Sequence, residues 1–248
     1  MSYSHSQVPD FKERYFEYKV LTPISGKPTI DKILVVYKQL KRNAQRIPTT
    51  LGGGQLGYLA LVLSTTAYAT IPGATAFLRP TDPGPFALIP NATPPATRAV
   101  PHPVPPPLTP EQIATQRANH DERRRIFQEV QAAELALRNQ LIEAFEPMYL
   151  QPLRNSTTDM INQSIPEIME WVLKTYGRIS EAEMLTREQN LTALTYDATK
   201  PVDFVFNEID TFSDLADLSN MAISDRRKRQ FAFVIFQKLR AFLDSLKK

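Results

Sequence analysis

The segment 164–177, Ser-Ile-Pro-Glu-Ile-Met-Glu-Trp-Val-Leu-Lys-Thr-Tyr-Gly, decides the fold class of this chain. It opens on Ser164 with Glu167 three positions later, which is the spacing of a capping box, and a proline stands in the first turn, where a helix tolerates it. Apolar residues then recur every three or four positions until Gly177. These signals predict an amphipathic helix that starts after the serine and stops at the glycine.

Start and stop signals of the same kind recur along the rest of the chain. Thr109-Pro110-Glu111-Gln112 combines a capping threonine with a proline at the first helical position, and it opens a long helix that runs to about Ala144. No stretch alternates apolar and polar residues as a strand would, so the sequence predicts an all-α protein. The further predicted helices cover 28–47, a short stretch after Ser64, 181–194, 201–218 and 225–246.

Composition narrows the class of protein. The 248 residues include no cysteine, which excludes disulfides, thiol nucleophiles and zinc knuckles within them and favours a reducing, cytoplasmic location. The longest apolar run, Leu59 to Leu63, is far shorter than a membrane span, so we expect no membrane partner. No Ser-His-acid arrangement, metal-ligand spacing or nucleotide loop is present, and we expect neither an enzyme nor a cofactor, metal or small-molecule substrate.

Proline marks an unusual segment in the first half. Of the 21 prolines, 13 fall between Pro72 and Pro110. Because proline fixes φ and lacks an N–H donor, residues 72–108 are predicted to form a semi-rigid, extended arm between two helical regions. A plain spacer and a ligand for a proline-recognising groove are both compatible with this composition.

Four glycines within six positions, in Leu51-Gly52-Gly53-Gly54-Gln55-Leu56-Gly57-Tyr58, contain a formal Gly-x-Gly-x-x-Gly pattern. A dinucleotide site requires a strand before the glycines, and here a helix precedes them. A phosphate-binding loop requires Lys and Ser or Thr after the last glycine, where Tyr58 and Leu59 stand instead. The segment therefore predicts a turn that needs positive φ or a close backbone approach.

Charge is distributed unevenly. Residues 1–108 carry 11 basic and 5 acidic side chains, and residues 109–248 carry 18 basic and 21 acidic ones. This polarity suits contacts between copies of the chain or a modest attraction to nucleic acid. Candidate nucleic-acid contacts are the basic face of the helix 28–47 and the tetrad that opens the last helix: Lys38, Lys41, Arg42, Arg46, Arg226, Arg227, Lys228 and Arg229.

Carboxylates share one side of the predicted helix 201–218, at offsets of 0, 7, 11 and 14 positions: Asp203, Asp210, Asp214 and Asp217. No histidine is matched to them, so a solvated acidic stripe is favoured over a metal or acid–base site. The stripe is a candidate contact surface for the basic tetrad, in a neighbouring subunit or in the same chain.

The order of residues in the second half, over about 120–245, resembles the Gag capsid region of copia-type long-terminal-repeat retrotransposons. The matching positions run through the predicted helices in the family's order: Ala136, Leu141 and Ile142; Glu170, Trp171, Leu173 and Tyr176; Leu191 and Leu194; Val202, Phe206, Phe212, Leu215 and Leu218; Ile223-Ser224-Asp225. Residues 51–54 through 71–73 are similar to Gag-like proteins of unicellular eukaryotes.

This resemblance implies a two-lobed, capsid-like helical protein with a tail at 1–26, an N-terminal lobe at 27–177 containing the arm, and a C-terminal lobe at 178–248. Copies would assemble into a shell that encloses retroelement RNA. The alternative is a nucleic-acid-binding module or a host-captured helical adaptor that forms no shell. Five aromatic residues are assigned to lobe cores or to self-association: Trp171, Tyr176, Phe212, Phe231 and Phe242.

Overall fold

The structure is a computed structural model that describes residues 7–91, 106–196, 199–219 and 221–245. Its helices confirm the all-α fold class, and within the described ranges the only strand-like pairings are two isolated bridges. The α-helices are α1 Gln7–Tyr15, α2 Ile30–Arg46, α3 Thr65–Ala69, α4 Pro110–Glu143, α5 Pro147–Leu150, α6 Ile165–Tyr176, α7 Glu181–Ala193, α8 Asp203–Leu218 and α9 Asp225–Ser245.

Local capping explains why the predicted helix ends agree closely with the observed ones. At the start of α6, the Glu167 carboxylate accepts hydrogen bonds from the backbone N–H and the hydroxyl of Ser164, both at 2.7 Å. These bonds hold the pKa of Glu167 below its usual value. At the other end, a Cβ on Gly177 would lie 2.7 Å from the Leu173 carbonyl oxygen, so the stop position favours glycine.

The chain divides into two compact units, each of which combines distant segments. The first comprises the described residues within Met1–Lys19 and Asn43–Arg138, and the second comprises those within Val20–Arg42 and Asn139–Lys248. The lobe boundary at Gly177 to Ser180 stays a prediction.

Residues 7–26, the described part of the stretch predicted as a tail, carry structure of their own. They include α1, and three of their apolar side chains are buried: Phe16, Leu21 and Ile24 are 6%, 2% and 2% exposed. Ile24 also donates its backbone N–H to the Ala144 carbonyl at 2.7 Å. The sequence did not predict that these three side chains are buried, because the stretch is mostly polar and its few apolar residues do not follow a helical period.

The glycine-rich segment forms the predicted turn in the first unit. All four glycines, at positions 52, 53, 54 and 57, have positive φ between 52° and 76°. Gly57 is the most constrained, because a Cβ there would lie 2.4 Å from the Gln45 carbonyl oxygen and 2.7 Å from that of Ala44. This close approach allows the Tyr58 backbone N–H to donate to the Ala44 carbonyl at 2.9 Å.

Residues 77–91 of the arm, here called the docked segment, lie along α4 instead of spanning free between helices. His120 on α4 is 6% exposed, and its Nε2 donates to the Gly84 carbonyl at 3.1 Å. Four and eight positions earlier, Gln116 and Gln112 bond to residues further along the docked segment. One stripe of α4 therefore holds this part of the arm, while residues 92–105 lie outside the described ranges.

Side chains add to these main-chain contacts. The Phe86 ring packs edge-on against His120, with centroids 5.4 Å apart, and the Arg117 guanidinium lies 5.5 Å from the centre of the same ring. Arg79 forms an ion pair with Glu134, which is 10% exposed, near the far end of α4. The arm was predicted as a joining segment because proline content reports backbone conformation and gives no information about a binding partner.

The second unit has its core around α8. Val205, Ile209 and Phe212 of α8 pack with residues of α7 and with Phe231 and Ile235 of α9. Ile30 and Leu34 of α2 belong to the same cluster. Helices from both ends of the chain therefore bury one set of apolar side chains.

Candidate functional site

Among the candidate nucleic-acid contacts on α2, two have acidic partners within the chain. Lys38 forms an ion pair with Asp214 at 2.9 Å, and Arg46 forms one with Glu17 at 2.8 Å. The ammonium of Lys41 lies 4.8 Å from the centre of the Tyr37 ring. Burial lowers the pKa of Lys41 and raises that of Tyr37 to about 12. Much of this positive charge is already compensated or partly buried.

Arg42 is exposed on the same helix. It has an interaction of its own within the chain, so it is not a free cation available to phosphate. The basic face of α2 is therefore engaged mainly in contacts inside the protein, which weakens its electrostatic attraction for nucleic acid.

The four predicted carboxylates all lie on α8, as their spacing indicates. Asp203, Asp210 and Asp217 are exposed, whereas Asp214 is half-buried and pairs with Lys38 of α2. Within the described residues, no group of three or more His, Cys, Asp or Glu side chains is arranged to hold a metal ion. The acidic stripe is available as a contact surface only through its three exposed members.

The basic tetrad at the start of α9 divides into two parts. Arg227 forms an ion pair with Glu188 of α7, and its guanidinium lies 5.1 Å from the centre of the Phe231 ring. Lys228 is half-buried. Arg226 and Arg229 are exposed, and the Nε of Arg229 donates a hydrogen bond to the Asp225 carbonyl in its own helix. Within the described residues, the ion pair that the tetrad forms is thus with α7.

Tyr176 holds α6 against α5, and Trp171 packs on Tyr176 within α6. Their rings pack edge-on with centroids 5.7 Å apart, and the Tyr176 hydroxyl donates to the Tyr149 carbonyl at 3.0 Å. The Tyr149 ring packs on Tyr176 in the same manner, at 5.8 Å. These contacts place both predicted aromatic residues in a packing role within the second unit.

Three of the predicted aromatic residues lie on the last two helices, and the structure describes the burial of two of them. Phe212 and Phe231 are 7% and 2% exposed and pack edge-on at 5.8 Å, so they belong to the core. Phe242 lies on α9, and its side chain falls outside the described part of the structure.

An exposed apolar patch lies beside this core. Val202, Phe206 and Phe233 are 49%, 46% and 65% exposed. Phe206 packs against the ring of Phe236, which lies one helical turn beyond Phe233 on α9. Phe233 was not among the predicted site residues. The run of six apolar residues from 231 to 236 is the signal that could have found it, because one helix face cannot bury all six.

Between α2, α7 and α8, the second unit contains a pocket of about 220 Å³, here called the α7–α8 pocket. Its floor is apolar and includes Leu191, Leu194 and Phe212, and its rim carries Asp31, Asn190 and Glu208. The Asp31 carboxylate is bound by both terminal nitrogens of Arg187, at 2.6 and 2.9 Å, and this pair lowers the pKa of Asp31. An apolar cavity with a polar rim can receive an apolar group that carries polar neighbours.

None of the protein-family models, curated proteins or solved structures compared with the chain matches it. Within the described residues, no helix combines the length and the apolar character needed to cross a membrane.

Proposed function

We propose that this chain is a structural protein that associates with copies of itself, in the manner of a Gag capsid protein, and encloses retroelement RNA. The observation that carries the proposal is the exposed patch of Val202, Phe206 and Phe233 on the second unit. Contiguous apolar surface on a folded chain is typical of sites that bind another protein. The order of residues that resembles copia-type Gag supports the identity of the partner as the same chain.

Surface charge supports the same proposal. The second unit exposes Asp203, Asp210 and Asp217 on α8 and Arg226 and Arg229 on α9. Two copies can therefore present surfaces of opposite sign to each other, which orients association and raises its rate. Many weak contacts repeated around symmetry axes give a closed and stable assembly.

Light scattering and negative-stain microscopy of the purified full chain, over a range of protein and salt concentrations, test this function. We expect particles or oligomers whose mass rises with protein concentration. A strictly monomeric chain at high protein concentration, in both low and high salt, contradicts the proposal. Particles that take up added RNA and protect it from nuclease support the enclosing role.

A nucleic-acid-binding module is the second candidate, favoured by the exposure of Arg226 and Arg229. Its affinity for RNA should fall steeply as salt rises, with a slope set by the number of phosphates neutralised. Reversal of both charges, R226E together with R229E, should abolish binding. Unchanged binding by this variant contradicts a role for the tetrad.

A helical adaptor that engages partners through the arm is the remaining alternative. The docked segment already contacts α4, which leaves its outward side chains for a partner: Leu78, Leu88 and Ile89 are 78%, 50% and 65% exposed. Deletion of residues 80–107 should then abolish partner capture. Equal capture by the deletion variant contradicts the adaptor function.

A further inference from the structure

The volume of the α7–α8 pocket indicates what size of group it can hold. A volume of about 220 Å³ lies below the ~300–1,000 Å³ of clefts that bind drug-sized ligands. An apolar cavity of about 150 Å³ is sufficient for a benzene ring. The pocket therefore suits a single large apolar side chain better than a small-molecule substrate.

The rim of the pocket is negative overall. The Arg187 guanidinium is bound by Asp31 and by Glu183, the latter at 2.9 Å, so its charge is compensated. Glu208 makes no ion pair or hydrogen bond within the described residues. One carboxylate at the rim is thus left to attract a cation beside whatever enters the pocket.

The outer face of α9 presents the complementary arrangement. Arg226, Arg229 and Phe233 follow one another at spacings of three and four, which places them on the same side of the helix. Phe231 and Ile235, which are 2% and 0% exposed, occupy the opposite, core-facing side. The ring of Phe233 is therefore an exposed apolar group with two exposed guanidinium groups beside it.

We propose that Phe233 of one copy inserts into the α7–α8 pocket of a second copy, with Arg229 placed against Glu208. This inference rests on the proposed function, because it names the contact through which copies associate. The two surfaces differ, so the contact is heterologous and repeats from copy to copy. Such contacts generate rings when the rotation closes and helical filaments when it does not.

Two variants of the full chain remove one surface each. F233D places a charge where the proposal requires an apolar ring, and N190W fills the pocket from its exposed rim without altering a buried residue. Each variant alone should associate at least about 30-fold more weakly than the unmodified chain in sedimentation velocity, as expected for loss of a central aromatic anchor. L185D and Q189W are matched controls, since both positions are exposed on α7 and neither lines the pocket.

A mixture of the two variants provides the sharpest test. N190W retains an intact Phe233, and F233D retains an intact pocket, so an equimolar mixture should form a one-to-one dimer and nothing larger. Charge reversal tests the pairing of Arg229 with Glu208: R229E should weaken association, and E208R combined with R229E should restore it. Circular dichroism and unfolding midpoints equal to those of the unmodified chain confirm that the variants fold.

Each result separates this contact from the proposed function. If the unmodified chain assembles and both variants assemble equally well, self-association stands and the contact is wrong. If the mixture gives no dimer, the contact is also wrong, because the two intact surfaces do not meet. If F233D loses binding to a fluorescent single-stranded oligonucleotide while its assembly is unchanged, the outer face of α9 binds nucleic acid instead. A chain that never associates overturns both proposals.

Discussion

Gln116 of α4 makes both amide hydrogen bonds to a single residue of the docked segment, Ile89. Its Oε1 accepts from the Ile89 backbone N–H at 2.9 Å, and its Nε2 donates to the Ile89 carbonyl at 2.8 Å. One side chain thereby satisfies both polar groups of a residue in an extended segment that has no neighbouring strand. The arm is held at this point through its main chain, while the Ile89 side chain is 65% exposed.

Replacement of this amide should release the docked segment locally. We expect Q116L to raise the hydrogen-exchange rate of the Ile89 amide about tenfold, because two hydrogen bonds of modest net strength are lost. Exchange followed by mass spectrometry on peptides covering 84–91 measures the effect. N119L, at an exposed position on the same helix, is the control and should leave exchange unchanged. Equal exchange in Q116L and the unmodified chain would show that other contacts hold the segment.

Gly57 should tolerate no side chain. We expect G57A to lower the free energy of unfolding by about 3 kcal/mol, since it combines a left-handed backbone with a clash against the Gln45 and Ala44 carbonyls. Urea unfolding measures the change. Gly73 has a similar φ of 80° but meets only the end of the Gln55 side chain at 3.8 Å, so G73A should cost about 1 kcal/mol. An equal decrease in the free energy of unfolding in G57A and G73A would contradict the close backbone approach at Gly57.

The pair of Asp31 and Arg187 should make stability depend on pH. Because the pair lowers the pKa of Asp31, its contribution is complete above the ordinary carboxyl pKa of about 3.9 and is lost as pH falls through the lowered value. The Asp31 side chain is 58% exposed, so solvent screening limits the contribution to about 0.5–1 kcal/mol.

The variant D31N tests this dependence. Its free energy of unfolding in urea should lie about 0.5–1 kcal/mol below that of the unmodified chain at pH 7, and the difference should vanish near pH 2. D210N is the control, since Asp210 is exposed and makes no ion pair in the part of the chain that the structure describes. A difference that persists in full at low pH would show that the effect of D31N is not electrostatic.

Two phenylalanines of α9 lie only two positions apart, yet their replacement by alanine should change the free energy of unfolding by very different amounts. F231A removes a ring that is 2% exposed and packed on Phe212, and it should lower the free energy of unfolding by about 3–5 kcal/mol. F233A removes a ring that is 65% exposed and should change it by less than about 0.5 kcal/mol. Thermal unfolding compares the two. Equal destabilisation would mean that Phe233 belongs to the core.

How far the sequence predicts this structure depends on whether a feature is local. The ends of α6, α7 and α9 agree with prediction within about two residues, because Ser164, Ser180 and Ser224 at their starts and Gly177 at the end of α6 act on their immediate neighbours. The ion pair of Lys38 and Asp214 joins residues far apart in the chain, and no local pattern indicates it. The docked segment was missed for a further reason: its main-chain groups are bound by side chains that look like ordinary helix surface.

Candidate site residues follow the same division. Spacing correctly places the four aspartates on one helix, but it could not show that Asp214 is already paired. Likewise, helical spacing correctly places Phe231 on the apolar face of α9, but it left open whether this ring serves the core or self-association, and only the structure shows that Phe231 is buried while Phe233 is exposed. The aspect of the site that sequence cannot provide is therefore which charged and aromatic groups remain unpartnered after folding.

The core of the second unit also constrains when the protein can complete its fold during translation. The partners that bury Ile30 and Leu34, such as Val205 and Ile235, are synthesised about 170–200 residues later. At about 5–20 residues per second, α2 waits roughly 10–40 s for those partners. Its apolar face is therefore open to chaperones or to neighbouring nascent chains throughout that interval.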